Sequence, residues 1–161
     1  MLSEWMAFSY TFYAIEVLLV FAFLYLGDKM EALGEYVWMM VWCLILGYVG
    51  YVHVPAQGPV FTQKFSMSLD LYYMSDIKAA LMDATRIERD CFPSLHTAIS
   101  AVCLFTAWKH LRTFFWVTVP MMATIPFACI YLRYHYAVDV LAGLLLAGLV
   151  IAFRRRSSWQ A

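Results

Sequence analysis

Residues 91–139 read CFPSLHTAISAVCLFTAWKHLRTFFWVTVPMMATIPFACIYLRYHYAVD. Two apolar runs, from about Pro93 to Leu111 and from Thr113 to Leu132, flank a basic turn that holds Lys109, His110 and Arg112. About 20 mostly apolar helical residues cross the hydrocarbon core of a bilayer, and the second run carries no charge at all. Three further runs of that length lie outside this stretch. One runs from about Trp5 to Leu26 and is interrupted by Glu16; one runs from about Glu35 to Val54; one runs from about His135 to Phe153 and ends at Arg154-Arg155-Arg156. A polar turn, Gly27 to Gly34, joins the first two, and a longer, more polar stretch follows from Pro55 to Phe92. The expected fold is all-α: a polytopic membrane bundle of about five transmembrane helices, one domain over residues 1–161, with the 55–92 loop packed over its outer end.

Composition agrees. The 161 residues are 64% hydrophobic and 14% charged, with a mean hydropathy of +0.71, against about 25% charged residues in an ordinary soluble domain. That leaves too little polar surface for a water-soluble enzyme or a disordered chain. Lys plus Arg equals Asp plus Glu at 11 each, so no cationic excess points to nucleic acid. Cys43, Cys103 and Cys129 sit in apolar runs and Cys91 in a polar one, with no C-x-x-C pair. Neither a disulfide framework nor a structural metal is expected. The chain opens with Glu4 rather than a basic cluster, and its first apolar run is of full spanning length, which does not read as a cleavable signal.

Basic residues favour the cytoplasmic side. The Arg154–Arg156 cluster and, independently, the Lys109/His110/Arg112 turn put one end of the bundle inside. Lys29 votes weakly the same way beside Asp28 and Glu31. The 55–92 loop then faces outward, although it carries Lys64, Lys78, Arg86 and Arg89 alongside Asp70, Asp76, Asp83, Glu88 and Asp90. The expected location is the plasma (inner) membrane, with the N-terminus outside.

Chemistry concentrates at the two ends of the quoted stretch. His96 and His135 lie 39 positions apart. That is one helix down, a short turn and one helix back, since two helices of about 20 residues at 1.5 Å per residue cross and recross a core of roughly 30 Å. Both histidines therefore return to one membrane face. Pro93 suits the first position of a helix, which leaves the amides of Ser94, Leu95 and His96 to attract an anion. His135 and Asp139 share a helix face at i, i+4. The carboxylate can hold one ring nitrogen and leave the other as a nucleophile. Arg133 is near enough to clamp phosphate oxygens.

Each element also has a plainer explanation. A lone histidine at a membrane boundary is commonly an interfacial polar group, and Tyr131, Tyr134 and Tyr136 read as aromatic-belt residues. Glu16 either lines a cavity or makes a helix–helix hydrogen bond, and His53 could approach from the second span. Residue types alone also allow a metal held by His53, His96, His135 and Asp139, but no pair has the local spacing of a zinc motif, so no metal is expected. An Asp one turn inside a span costs up to about 2.5–3.5 kcal/mol at mid-membrane, which favours function for Asp139.

Pro93-Ser94-Leu95-His96 resembles the second signature of the type 2 phosphatidic acid phosphatase superfamily, in the P-S-L-H form of its inositol phosphorylceramide synthase-like branch. His135-Tyr136-Ala137-Val138-Asp139 is similar to the third signature in that branch's H-Y-x-x-D form. Pro55-Ala56-Gln57-Gly58-Pro59 resembles a short segment the branch shows after an earlier span. The likeness covers roughly residues 40 to 153.

The resemblance implies metal-independent, cofactor-free phosphoryl transfer through a phosphohistidine. It makes His135 the nucleophile, Asp139 its partner and His96 the acid for the leaving group. Ser94 and the adjoining amides, Leu95 included, then bind phosphate. The first signature, a Lys six residues before Arg-Pro, is absent. Its charge falls to Arg86, Arg89, Lys64 and Lys78, of which Arg89 is nearest Pro93 in sequence. Cys129 stands at the third signature's usual Arg position, for which Arg133 substitutes, and the expected five spans compare with a common six. The expected activity is hydrolysis of a lipid phosphate ester at the outer membrane face. Transfer of a phospho-headgroup to an alcohol such as diacylglycerol or ceramide uses the same residues, and a non-catalytic scaffold or transporter fragment is the reading from a different class.

Overall fold

A computed structural model describes residues 1–66, 69, 71–74 and 89–157, with side chains as far as Arg154. The helices among them are α1 (Leu2–Leu26), α2 (Met30–His53), the short α3 (Pro59–Thr62), α4 (Leu95–His110), α5 (Arg112–Met122), α6 (Ile125–Tyr131) and α7 (Ala137–Ser157). No strand occurs among the described residues. Among the described residues, four helical stretches are long and apolar enough to cross a membrane: Leu2–Leu26, Met30–His53, Arg112–Tyr131 and Ala137–Arg154. The chain is an all-α membrane bundle.

The helix boundaries differ from expectation in three places. The Gly27–Gly34 turn shrinks to residues 27–29, because α2 already begins at Met30. The span expected from Thr113 to Leu132 is broken at Ala123-Thr124 into α5 and α6. Pro120 lies inside α5 and Pro126 in the first turn of α6; each lacks an N–H to donate and crowds the preceding turn. The third expected span forms α4, whose 16 residues reach only about 24 Å.

That shorter helix is the hub. It packs against α1, α2, α5, α6 and α7, burying Leu95, Ala98, Ile99, Val102, Cys103 and Ala107. Small residues let neighbouring backbones come close, which is how apolar helices gain contact where lipid is as greasy as leucine. The lipid side is visible on α7, where Leu141, Leu145 and Leu149 are 60–69% exposed at a spacing of four. Val140, Ala147 and Val150 of the same helix face inward.

The two ends of the bundle differ. At one, Glu35 pairs with Lys109 at 2.9 Å, His110 at 3.7 Å and Arg154 at 3.9 Å, while Lys29 donates to the His110 carbonyl at 2.5 Å. The basic groups that voted for one membrane side therefore do share an end. His96 and His135 lie at the other. There Glu4 of α1 accepts from the backbone amides of Tyr72, Tyr73 and Met74, so part of the 55–92 stretch is pinned to the start of α1. Asp70, Asp76, Lys78, Asp83, Arg86 and Glu88 lie outside the described residues. Between the ends, Glu16 is fully buried, and neither of its carboxyl oxygens has a partner among the described residues.

Candidate active site

The start of α4 is clasped from both sides. A Cβ built on Gly50 of α2 would stand 2.4 Å from Pro93 Cδ, and one on Gly47 would run into the Leu95 side chain. From the far side, a Cβ on Gly143 of α7 would stand 2.4 Å from the Ser94 carbonyl oxygen. At Gly143 the neighbour is backbone and cannot move aside, so only glycine fits there. The helix begins at Leu95 with Ser94 as its N-cap, not at Pro93 as expected. The Ser94 hydroxyl accepts from the Thr97 amide at 3.4 Å and from the Thr97 hydroxyl at 3.1 Å. The Ser94 amide donates to the Asp139 carbonyl at 3.0 Å. Ser94 is therefore fully buried and occupied with capping. The Leu95 amide donates to the Tyr51 hydroxyl of α2, which leaves the His96 amide as the open position of the first turn.

His135 sits in the turn between α6 and α7. Tyr134 and His135 both donate their amides to the Cys129 carbonyl at 3.1 Å. Arg133 holds the turn open with φ of 68°, a region non-glycine residues seldom occupy. The Pro55–Pro59 segment braces it. The Val60 amide donates to the Arg133 carbonyl at 2.8 Å, and the Thr62 and Tyr136 hydroxyls meet at 3.0 Å. A Cβ on Gly58 would stand 2.3 Å from the Tyr134 carbonyl oxygen. The segment resembling a family motif is thus a buttress for the histidine turn.

Asp139 begins α7 as its third residue. Its Oδ2 accepts from the Tyr136 amide at 2.7 Å, while its own amide donates to the Tyr136 carbonyl at 3.1 Å. This is half of a capping box, and it turns the carboxylate away from the ring it was expected to hold. Asp139 Oδ2 stands 3.9 Å from His135 Nδ1, beyond hydrogen-bond length. The Cys91 carbonyl takes that place, 2.9 Å from Nδ1, and the Cys91 thiol donates to Asp139 Oδ2 at 2.9 Å. A carbonyl only accepts, so Nδ1 carries the proton and Nε2 keeps a free lone pair. Burial holds the His135 imidazole below its ordinary range, with the Cys91 carbonyl and the Asp139 charge pulling the other way. Desolvation is the larger of these effects. Burial, with the Asp139 carboxylate next, pushes the Cys91 thiol up.

The His96 ring lies 6.0 Å from that of His135, centroid to centroid. It stacks on Tyr10 at 4.4 Å and leans on Tyr13 at 4.7 Å, both from α1. Tyr10 in turn contacts Tyr134 at 4.8 Å. The structure therefore joins His96, His135 and Asp139 and adds Cys91, Tyr10 and Tyr13. Arg133 places its guanidinium 4.0 Å over the Phe65 ring, Lys64 and Arg89 are exposed, and Arg86 lies outside the described residues. His53 is exposed and bonds the Val49 carbonyl of its own helix at 2.8 Å.

Chemically, the arrangement offers an imidazole with an unprotonated nitrogen and a second imidazole whose ring centre lies 6.0 Å away. Beside them lies the start of α4, with the His96 amide in its first turn. Comparison with curated proteins and with solved structures gives no match. The model of the PAP2 superfamily matches residues 1–153. With both histidine motifs inside that match, the chain belongs to the PAP2 superfamily, a family of membrane phosphatase and phosphotransferase enzymes acting on lipid phosphates.

Proposed function

We propose that the protein hydrolyses a lipid phosphate ester, without a metal, through a phosphohistidine on His135. One observation carries this reading: the hydrogen bond from His135 Nδ1 to the Cys91 carbonyl leaves Nε2 unprotonated, with its lone pair available for attack. Nε2 attacks phosphorus, the bond from phosphorus to the lipid oxygen breaks, and His96 gives its proton to the departing alkoxide. Water then attacks the phosphohistidine as His96 takes a proton back, which returns His135 and releases phosphate. Proximity alone is a large part of such a rate. The His96 amide at the start of α4 supplies a donor to the phosphoryl oxygens, joined by the Leu95 amide when phosphate displaces the Tyr51 hydroxyl from it. Arg133, Arg89, Arg86 and Lys64 are the cationic groups proposed to complete the clamp, with Ser94 shaping it as the cap.

The reaction belongs to the end of the bundle opposite Glu35, Lys109 and Arg154, which the basic-residue rule assigns to the extracytoplasmic face of the plasma (inner) membrane. Transfer to an alcohol acceptor is the second reading. The P-S-L-H and H-Y-x-x-D forms favour it, because they resemble a branch of phosphotransferases. The test uses purified protein in EDTA with a panel of lipid phosphates, each with and without diacylglycerol or ceramide. Phosphate release without acceptor supports hydrolysis, and acceptor-dependent product supports transfer. Turnover that vanishes in EDTA and returns with magnesium overturns the metal-free reading.

A further inference from the structure

Behind the attacking nitrogen of His135 lie three ligand-type atoms from three separate positions in the chain. Cys91 Sγ stands 3.6 Å from His135 Nδ1 and 2.9 Å from Asp139 Oδ2, and Nδ1 stands 3.9 Å from Oδ2. All three atoms lie within 4.8 Å of one another, and all three residues are buried. In a tetrahedral zinc site, a thiolate at about 2.3 Å and a nitrogen at about 2.0 Å stand roughly 3.6 Å apart, the separation found for Sγ and Nδ1. A point about 2 Å from all three atoms exists within the triangle they form, in the range of ordinary metal–ligand bonds. The set of one thiol, one imidazole and one carboxylate suits a soft or borderline divalent ion and not magnesium or calcium.

From this geometry we infer that Cys91, His135 and Asp139 form an inhibitory site for a thiophilic divalent cation such as zinc. Binding releases one proton to solvent, that of the Cys91 thiol, while the ring proton of His135 moves from Nδ1 to Nε2, because a neutral imidazole that ligates through one nitrogen carries its proton on the other. The fourth vertex falls to water or to the Cys91 carbonyl. A cation on Nδ1 withdraws electron density from the ring and ends the bond to the Cys91 carbonyl that orients it. Nε2 then carries the ring proton and has no lone pair with which to attack, so the filled site stops phosphoryl transfer. No local metal spacing marks the set, because Cys91 stands 44 positions from His135.

Inhibition rests on the function proposed above; cation binding does not, so the experiment reads binding directly. The full chain in detergent is titrated with cadmium and followed by thiolate-to-cadmium ultraviolet absorption. The expected result is one saturable equivalent per chain, displaced by zinc. The band should persist in the triple variant Cys43→Ser/Cys103→Ser/Cys129→Ser, vanish in Cys91→Ser and need about tenfold more cadmium in Asp139→Asn. No band in the wild type, or a band that survives Cys91→Ser, overturns the inference. Should Cys91→Ser fail to fold, the triple variant decides, since loss of its band also overturns it. A protein that binds cadmium through Cys91 yet turns over no phosphoester keeps the site and loses the proposed function. Where turnover is present, zinc should inhibit the wild type and spare Cys91→Ser relative to that variant's own rate.

Discussion

His135 Nδ1 donates to the backbone carbonyl of Cys91 at 2.9 Å, while the Asp139 carboxylate that shares its helix face stands 3.9 Å away. The group that orients the imidazole is therefore main chain, and no side-chain substitution at Asp139 removes it. In the proposed mechanism Asp139 acts on His135 by charge and through Cys91, whose thiol it accepts. Asp139→Asn should cut kcat by about 10–100-fold, whereas His135→Ala should abolish turnover along with any acid-labile phosphoenzyme. Equal loss in the two variants, measured as kcat on one lipid phosphate, would put Asp139 in direct contact with the reacting ring.

His96 is placed to serve the leaving group, because its ring lies across the gap from His135 and is fixed between Tyr10 and Tyr13. His96→Ala should abolish hydrolysis of lipid phosphates, whose alkoxide needs a proton. It should retain measurable turnover of a nitrophenyl phosphate, whose leaving group needs none. The comparison is a ratio of kcat/KM values for the two substrates; an unchanged ratio removes the acid role from His96.

Much of this was legible in the sequence, and the illegible part has a physical cause. Apolar runs of spanning length marked α1, α2 and α7, and helix arithmetic brought His96 and His135 to one face. The break at Ala123-Thr124 was missed although Pro120 and Pro126 stood in view, because a charge-free run reads as continuous when only its hydropathy is followed. Helix α4 starts two residues after Pro93, since Ser94 is the better cap. Tyr10 and Tyr13 could not be assigned to the site. They reach His96 from more than 80 positions away, and a tyrosine pair at i, i+3 looks the same on any membrane helix. Cys91 stands alone in a polar stretch of the sequence for a similar reason: its partners are set by the clasp of α2 and α7 on the start of α4, which no local pattern encodes.

That clasp predicts which glycines matter. Gly143 holds α7 against the Ser94 carbonyl, where a Cβ would come within 2.4 Å of a backbone oxygen that cannot move aside. Gly148, on the same helix, has nothing within 4 Å of its would-be Cβ. Gly143→Ala should destabilise the protein by about 1–3 kcal/mol, the range for overpacking a tight interface, and should lower activity by displacing Ser94 and Asp139 together. Gly148→Ala should be neutral or slightly stabilising, because alanine is the better helix former. Thermal unfolding in detergent, run side by side, checks the pair; equal melting temperatures would mean that α4 and α7 do not approach as closely as described.

The last expectation concerns pH. Attack requires neutral His135, and burial holds its imidazole below the ordinary value, against the opposing pull of the Cys91 carbonyl and Asp139. A lowered pKa keeps the ring neutral at more acid pH, so the acid limb of kcat/KM should fall below the ordinary imidazole pKa of about 6.5. The alkaline limb belongs to the proton on His96 that the leaving group needs. The two rings lie 6.0 Å apart, so their titrations are coupled and the limbs report the pair. Asp139 raises the His135 value, so removing its charge must lower that value further. In Asp139→Asn the acid limb should therefore move to lower pH even as the maximum rate falls. A pH series of kcat/KM in EDTA, on wild type and Asp139→Asn, tests the sign. An acid limb that stays in place or moves toward neutral pH in the variant would mean that the limb does not report His135.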